Sequence, residues 1–303
     1  MKYQTMTFKH ILNIRNGLRD YLVKYPGKGL VLGMSGGIDS TVCAALASSI
    51  CQHLKRPLIG RSITIESNSL DEIERAKLAG TAFCAEFNED NLTKLYEGIR
   101  DFLWDITFTH VGSGKVVELP KLNEFDMKVI NGNIKARLRM ITLYHIAAMR
   151  NCIVLSTDNL TEFLLGFWTL HGDVGDIGMI QELSKTQVYE IAEILIRSYS
   201  GTANQLRREA LRRSADADAT DGLGITSTDI DQIMPDWREH YENSRKAYEA
   251  IDRIFGLWFG GHQTEVIDST VIAKHKQTEY KRNNPFNFPL SLILGEHQND
   301  QSN

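Results

Sequence analysis

Apolar positions recur at helical spacing over residues 7–24, where Phe8, Ile11, Leu12, Ile14, Leu18, Tyr21 and Leu22 form one side of an amphipathic helix. Pro26-Gly27-Lys28-Gly29 breaks it. The pattern then switches to a continuous apolar run, Leu30-Val31-Leu32-Gly33-Met34, as a buried parallel strand requires. Ser40 to Leu54 is rich in alanine and predicts a helix with small residues where it meets a sheet. Leu58 to Ile65 predicts a second strand, Ser69 to Phe87 a second helix, and residues 88–100 further helix. Residues 104–124 show no clear period, with Gly112-Ser113-Gly114 marking a turn. Asn133 to Met149 reads as a helix, Cys152 to Ser156 as another buried strand, and Leu160 to Thr169 as helical again. Leu183 to Ser198 is a helix whose start, Ser184-Lys185-Thr186-Gln187, has the form of a capping box. Residues 200–226 have loop composition and are the best candidate for a mobile segment. Thr228 to Ile233 and Trp237 to Phe259 are helical. Strands alternating with helices predict an α/β fold, a doubly wound parallel sheet with helices on both faces. Residues 1–294 are expected to form one domain and 295–303 a flexible tail.

Composition narrows the classes. A chain of 303 residues with 42% apolar residues can bury a sizeable core. The net charge of −4 gives no global reason to expect a nucleic-acid or membrane surface. No segment reaches the roughly 18 apolar residues a membrane helix needs, and the N-terminus has no signal-peptide core. A cytoplasmic protein is expected. Cys43, Cys51, Cys84 and Cys152 are scattered without metal-ligand spacing, so reduced, mostly buried thiols are expected. The nine histidines are dispersed as well.

The chemistry concentrates where the first strand turns into a helix, at Ser35-Gly36-Gly37-Ile38-Asp39-Ser40. A turn at the carboxyl end of a parallel strand is the usual ligand crevice of such sheets. Two adjacent glycines let backbone N–H groups converge, and the next helix adds its N-terminal dipole. Ser35, Ser40 and Thr41 add hydroxyls. Asp39 would repel a phosphate unless a divalent cation lies between them, so the set points to a polyphosphate with Mg²⁺. The lysine of a P-loop is absent, and so is a G-x-G-x-x-G dinucleotide fingerprint.

These six residues resemble the signature of the N-type ATP pyrophosphatases, which cleave ATP to AMP and pyrophosphate. Later motifs narrow the resemblance to the NAD synthetase family. Gly132-Asn133-Ile134-Lys135-Ala136-Arg137-Leu138-Arg139-Met140 resembles its G-N-[VI]-K-A-R-x-R-M helix. Thr157-Asp158-Asn159-Leu160-Thr161-Glu162 with Gly166-Phe167-Trp168-Thr169 is similar to G-T-D-x-x-E…G-[FY]-x-T. Gly172-Asp173-Val174-Gly175-Asp176 resembles G-D-G-G-x-D, one residue shorter. Leu183 to Gln187, Ser214-Ala215-Asp216, Leu223-Gly224-Ile225-Thr226 and Lys281-Arg282-Asn283-Asn284-Pro285 resemble the remaining family motifs in order.

The resemblance implies an adenine nucleotide alpha hydrolase-like fold and ATP-dependent amidation of deamido-NAD through an adenylated carboxylate. It implies ATP as co-substrate, with contacts from Gly33, Met34, Ser35, Gly36, Gly37, Ile38, Asp39, Ser40, Thr41, Arg61, Thr157, Lys185 and Ser214. It implies Mg²⁺ on Asp39 and Glu162, deamido-NAD contacts from Arg137, Asp176 and Lys281, and catalytic roles for Asp39, Lys185 and Asp173. A homodimer is implied, with the helix near residues 133–150 at the interface. Only about 28 residues precede the first strand, so free ammonia is the expected nitrogen source. The chain departs from the family where Leu170 replaces a lysine and Tyr280 a histidine. A competing alignment puts the last motif at His275-Lys276, without its proline; Lys281 is preferred. Two other readings are a related enzyme acting on tRNA, disfavoured by the near-neutral charge, and a nucleotide-binding sensor without turnover.

Overall fold

In the computed structural model, residues 4–25, 27–108 and 121–284 are described. Five strands form one parallel sheet in the order β3-β2-β1-β4-β5: β1 Gly29–Gly33, β2 Leu58–Thr64, β3 Glu86–Asn91, β4 Cys152–Ser156 and β5 Ile177–Gly178. The central strand β1 alternates its side chains between the faces. Leu30 and Leu32 point into a core with α1 (Phe8–Lys24), α2 (Ile38–His53), α3 (Leu70–Phe83), α7 (Lys185–Ser198) and α8 (Gln205–Asp216). Val31 points the other way, joining Ile59 and Val154 under Leu143 and Ala147 of α5 (Glu124–Arg150). Ahead of α5, α4 spans Thr93–Phe108. The chain order reverses between β1 and β4, so the doubly wound sheet has its switch point there.

A second core lies apart from these two clusters. It is built from α6 (Leu160–Leu165), α9 (Trp237–His240), α10 (Ser244–Phe259) and α11 (Thr270–Gln277), with Trp237, Tyr248, Ile251 and Phe255 fully buried; α12 (Glu279–Arg282) follows.

Several element boundaries differ from the sequence reading. The helix from residue 69 ends at Phe83, and residues 86–91 are a strand instead of helix. Glu86-Phe87-Asn88-Glu89-Asp90-Asn91 carries no apolar alternation because β3 is an edge strand, where charge guards the exposed backbone. The polar stretch expected as a mobile loop contains α8; arginine, leucine, alanine and glutamate form helices well, and Ala210, Leu211 and Ser214 suffice to seal it. The helix near 160 stops at Leu165, where Gly166 takes a left-handed turn (φ 71°). The helix expected over 237–259 is interrupted between His240 and Ser244. α5 begins earlier than expected, capped by Asn123. Pro285 and the expected tail lie outside the described residues.

Candidate active site

The turn after β1 and the turn after β4 face each other across the switch point and line a cleft of about 730 Å³. The first turn is built by its own polar atoms. The Met34 N–H donates to the Arg61 carbonyl at 2.8 Å. Ser35 and Ser40 hydroxyls lie 3.1 Å apart, and Gly37 N–H donates to Ser35 Oγ at 3.2 Å. Gly36 has φ +82°, and a Cβ there would lie 2.4 Å from the Glu72 carbonyl of α3. Glycine is therefore required twice, for the turn and for the close approach of α3. Buried Arg75 locks this contact by donating from Nε to Gly36 O at 3.0 Å. Thr41 points inward, its hydroxyl 2.9 Å from that of Ser214 on α8.

On the other turn, Asn159 caps α6 by accepting from Glu162 N–H at 3.0 Å, while its amide donates to Asp39 Oδ1 at 2.9 Å. Glu162 is thereby set beside Asp39. Between the two carboxylates lies Lys185, 2% exposed, whose ammonium donates to Glu162 Oε1 at 3.1 Å and to Asp39 Oδ2. The Lys185 backbone is held by Thr161 Oγ1 at 2.9 Å. Asp252 of α10 accepts from Thr161 Oγ1 at 2.5 Å and from the Thr186 N–H at 2.8 Å. An acidic group thus sits at the N-terminus of α7, where the helix dipole favours it.

The charges are tuned by burial. Burial raises Glu162 to about 7 against the opposing pull of Lys185. Burial also works against the Lys185 charge, but Asp39 and Glu162 outweigh it and hold the ammonium protonated. Burial, reinforced by Glu162, raises both Asp158 and Asp229 to about 8. Asp173 is raised by burial and accepts from the Thr169 N–H at 2.5 Å.

Most expected site residues meet in this cleft. Gly33, Met34, Ser35, Gly37, Ile38, Asp39, Ser40, Arg61, Thr157, Glu162, Asp173, Lys185, Ser214 and Lys281 line it. Arg61 does so already paired, donating to Asp90 at 2.5 and 2.7 Å. Gly36, Thr41, Arg137 and Asp176 do not line it. Arg137 reaches the Leu170 carbonyl at 3.2 Å from the exposed side of α5. Asp176 accepts from Val154 N–H at 2.8 Å and Tyr144 OH at 3.0 Å. His275 bonds the Leu164 carbonyl at 2.7 Å inside the second core, so of the two alignments of the last motif only Lys281 is in the cleft.

Arg75, Asn159, Asp229 and Lys274 were missed by sequence reasoning. The N-cap position of Asn159 was readable from Asn159 followed three residues on by Glu162. The others depend on contacts between distant segments.

A divalent cation fits the donor set. Among the described residues no group of three or more His, Cys, Asp or Glu side chains could hold a metal. Two carboxylates beside a phosphate cradle are nonetheless what Mg²⁺ uses, since it completes its shell with phosphate oxygens and water. No helix among the described residues is long and apolar enough to cross a membrane. The four cysteines are free thiols, three of them buried.

The sequence matches the NAD synthase family over residues 10–285. It is 32% identical to an NH3-dependent NAD(+) synthetase of Methanocaldococcus jannaschii over 95% of this chain and 90% of that one. It is also 32% identical to one from Mycoplasma genitalium, over 76% of this chain and 84% of that one. An NMN synthetase structure from Francisella tularensis is similar with a TM-score of 0.63 and 25% identity, over 92% and 97% of the two chains. A Campylobacter jejuni NH3-dependent NAD synthetase shares the fold, with a TM-score of 0.59 and 21% identity over 94% and 100%. With the two turns, the carboxylate–lysine cluster and the ordered motifs in place, the chain belongs to the NAD synthase family.

Proposed function

We propose that this protein amidates deamido-NAD with ammonia, converting ATP to AMP and pyrophosphate through an adenylated nicotinate carboxylate. The observation that carries it is the convergence of Asp39, Glu162 and Lys185 beside the glycine turn of a cleft in a chain of this family. A carboxylate resists nucleophilic attack because of its charge; adenylation removes that charge and provides a leaving group. Two anions must meet, so cationic screening is the main demand on the site.

Ser35, Gly37 and Ser40 would cradle the outer phosphates, and Asp39 and Glu162 would hold Mg²⁺. The ion would supply charge neutralisation between nucleotide and acceptor. Lys185, freed from the two carboxylates, would meet the charge growing on the departing pyrophosphate. Asp173, whose raised pKa makes it a better base than an ordinary aspartate, would take the proton released when ammonia attacks. The remaining work is positioning.

One observation favours a second acceptor, nicotinate mononucleotide. Arg137 and Asp176 are engaged within the fold and do not line the cleft, and Leu170 supplies no cation, so these three positions add no grip on the second half of a dinucleotide. The similarity to an NMN synthetase points the same way.

The test is product formation with ATP, Mg²⁺ and ammonium, offering each acceptor in turn. NAD from deamido-NAD is expected, and Asp39→Ala should lower the rate by at least about 10²-fold. A higher kcat/KM with nicotinate mononucleotide would select the second reading. AMP formation with other acids, and none with either nucleotide, would overturn both.

A further inference from the structure

Where α11 and α12 line the cleft, Lys274 and Lys281 make no salt bridge among the described residues. Lys281 is fixed by two backbone carbonyls, donating to Gly166 O and Trp168 O at 2.6 Å each. An ammonium has three donors, so one is left over. Lys274, on the cleft side of α11, lies over the Phe167 ring at 5.4 Å and makes no salt bridge to a carboxylate among the described residues. Burial and then Lys274 itself push Lys281 down to about 8, with Asp173 opposing weakly. Burial lowers Lys274 as well. The indole of Trp168 lines the same cleft, and its Nε1–H is buried without an acceptor.

Two neighbouring like charges and an orphan donor are each unfavourable alone. An anion entering between them relieves all three. The place also suits the reaction. Lys281 is held at Gly166, one turn of helix beyond Glu162, on the order of 6 Å along the axis of α6.

We infer that Lys274, with Lys281 and the Trp168 indole N–H, forms the subsite for the phosphate attached to the nicotinate riboside. Lys274 thereby supplies from α11 the cation that Leu170 lacks. This inference rests on the proposed amidation of a nicotinate nucleotide, and it holds for either acceptor because both carry that phosphate.

Lys274→Met is expected to raise the KM for the acceptor about ten- to hundredfold, leave the KM for ATP and kcat within about twofold, and weaken acceptor binding by calorimetry in the absence of ATP by a similar factor. Lys274→Arg should recover most of the loss. Lys276→Met is the control, because Lys276 lies over Trp258 at 5.1 Å and does not line the cleft. An unchanged acceptor KM, or a rise confined to ATP, would overturn the inference while leaving the amidation intact. If the wild-type enzyme amidates neither acceptor, the failure lies with the proposed function instead.

Discussion

Lys185 is the residue on which the charge balance of the site turns. Its ammonium lies between Asp39 and Glu162 in a place almost closed to water, so removing it strands two carboxylates. Breaking a buried pair from one side costs about 3–5 kcal/mol. Lys185→Met should lower the unfolding free energy by about that much at pH 8, and less at pH 5, below the Glu162 value of about 7. Denaturant titrations at the two pH values measure it, and a loss of equal size at both would contradict the assignment. Wild-type stability should also depend on pH through Asp158 and Asp229. Both rise from 3.8 to about 8 on folding, so the native state binds protons that the unfolded chain has released. Stability gained from these groups is full below pH 4 and is lost as the pH climbs toward 8. Asp158→Asn should flatten the slope of unfolding free energy between pH 5 and 8, by up to about 1.4 kcal/mol per pH unit.

At the scale of elements, the segment between α8 and α9 shows how the cleft is walled. Asp221 accepts from the N–H groups of Leu223, Gly224, Ile225 and Thr226 at 2.7–2.9 Å. Two cations of α5 fasten the same segment: Lys135 to Leu223 O at 2.9 Å and Arg139 to Gly222 O at 2.9 Å. Asp221→Ala frees four amides at once, so hydrogen exchange at 223–226 should accelerate by at least about tenfold. Unchanged exchange there would mean that the α5 cations suffice alone. The sequence motif containing Lys135, Arg137 and Arg139 was legible as a unit, but the division of labour within it was not. Helical geometry sends Lys135 and Arg139 inward to this wall and leaves Arg137 outside. The same limit explains β3 and α8. The three buried strands announced themselves through apolar runs, whereas an edge strand of polar residues and a helix sealed by small residues are defined by their neighbours. The glycine turn and the Glu162 motif were legible because both depend on local backbone geometry; the Thr41–Ser214 and Arg75–Gly36 contacts join segments far apart in the chain.

At the scale of the whole molecule, the exposed side of α5 needs an explanation. Single exposed apolar residues are ordinary. Here Ile141 is 65% and Met149 71% exposed, and Phe102 of the neighbouring α4 is 63% exposed. Arg137, Ile141 and Tyr144 follow at i, i+4 and i+7, so the arginine expected at the acceptor shares this apolar side. A second copy docked on α5, which we propose as the occupant of this face, would cover the stripe and bring each Arg137 toward the neighbouring subunit. If the protein sediments as such a dimer, Ile141→Glu combined with Met149→Glu should convert it into a monomer. Because neither residue is buried in the single chain, the circular dichroism spectrum should not change. If Arg137 works across the interface, the acceptor KM should rise in this variant while the KM for ATP, whose site is built within one chain, stays near wild type. A wild-type protein that sediments as a monomer at assay concentration would remove the interface and return Arg137 to a structural role at the Leu170 carbonyl.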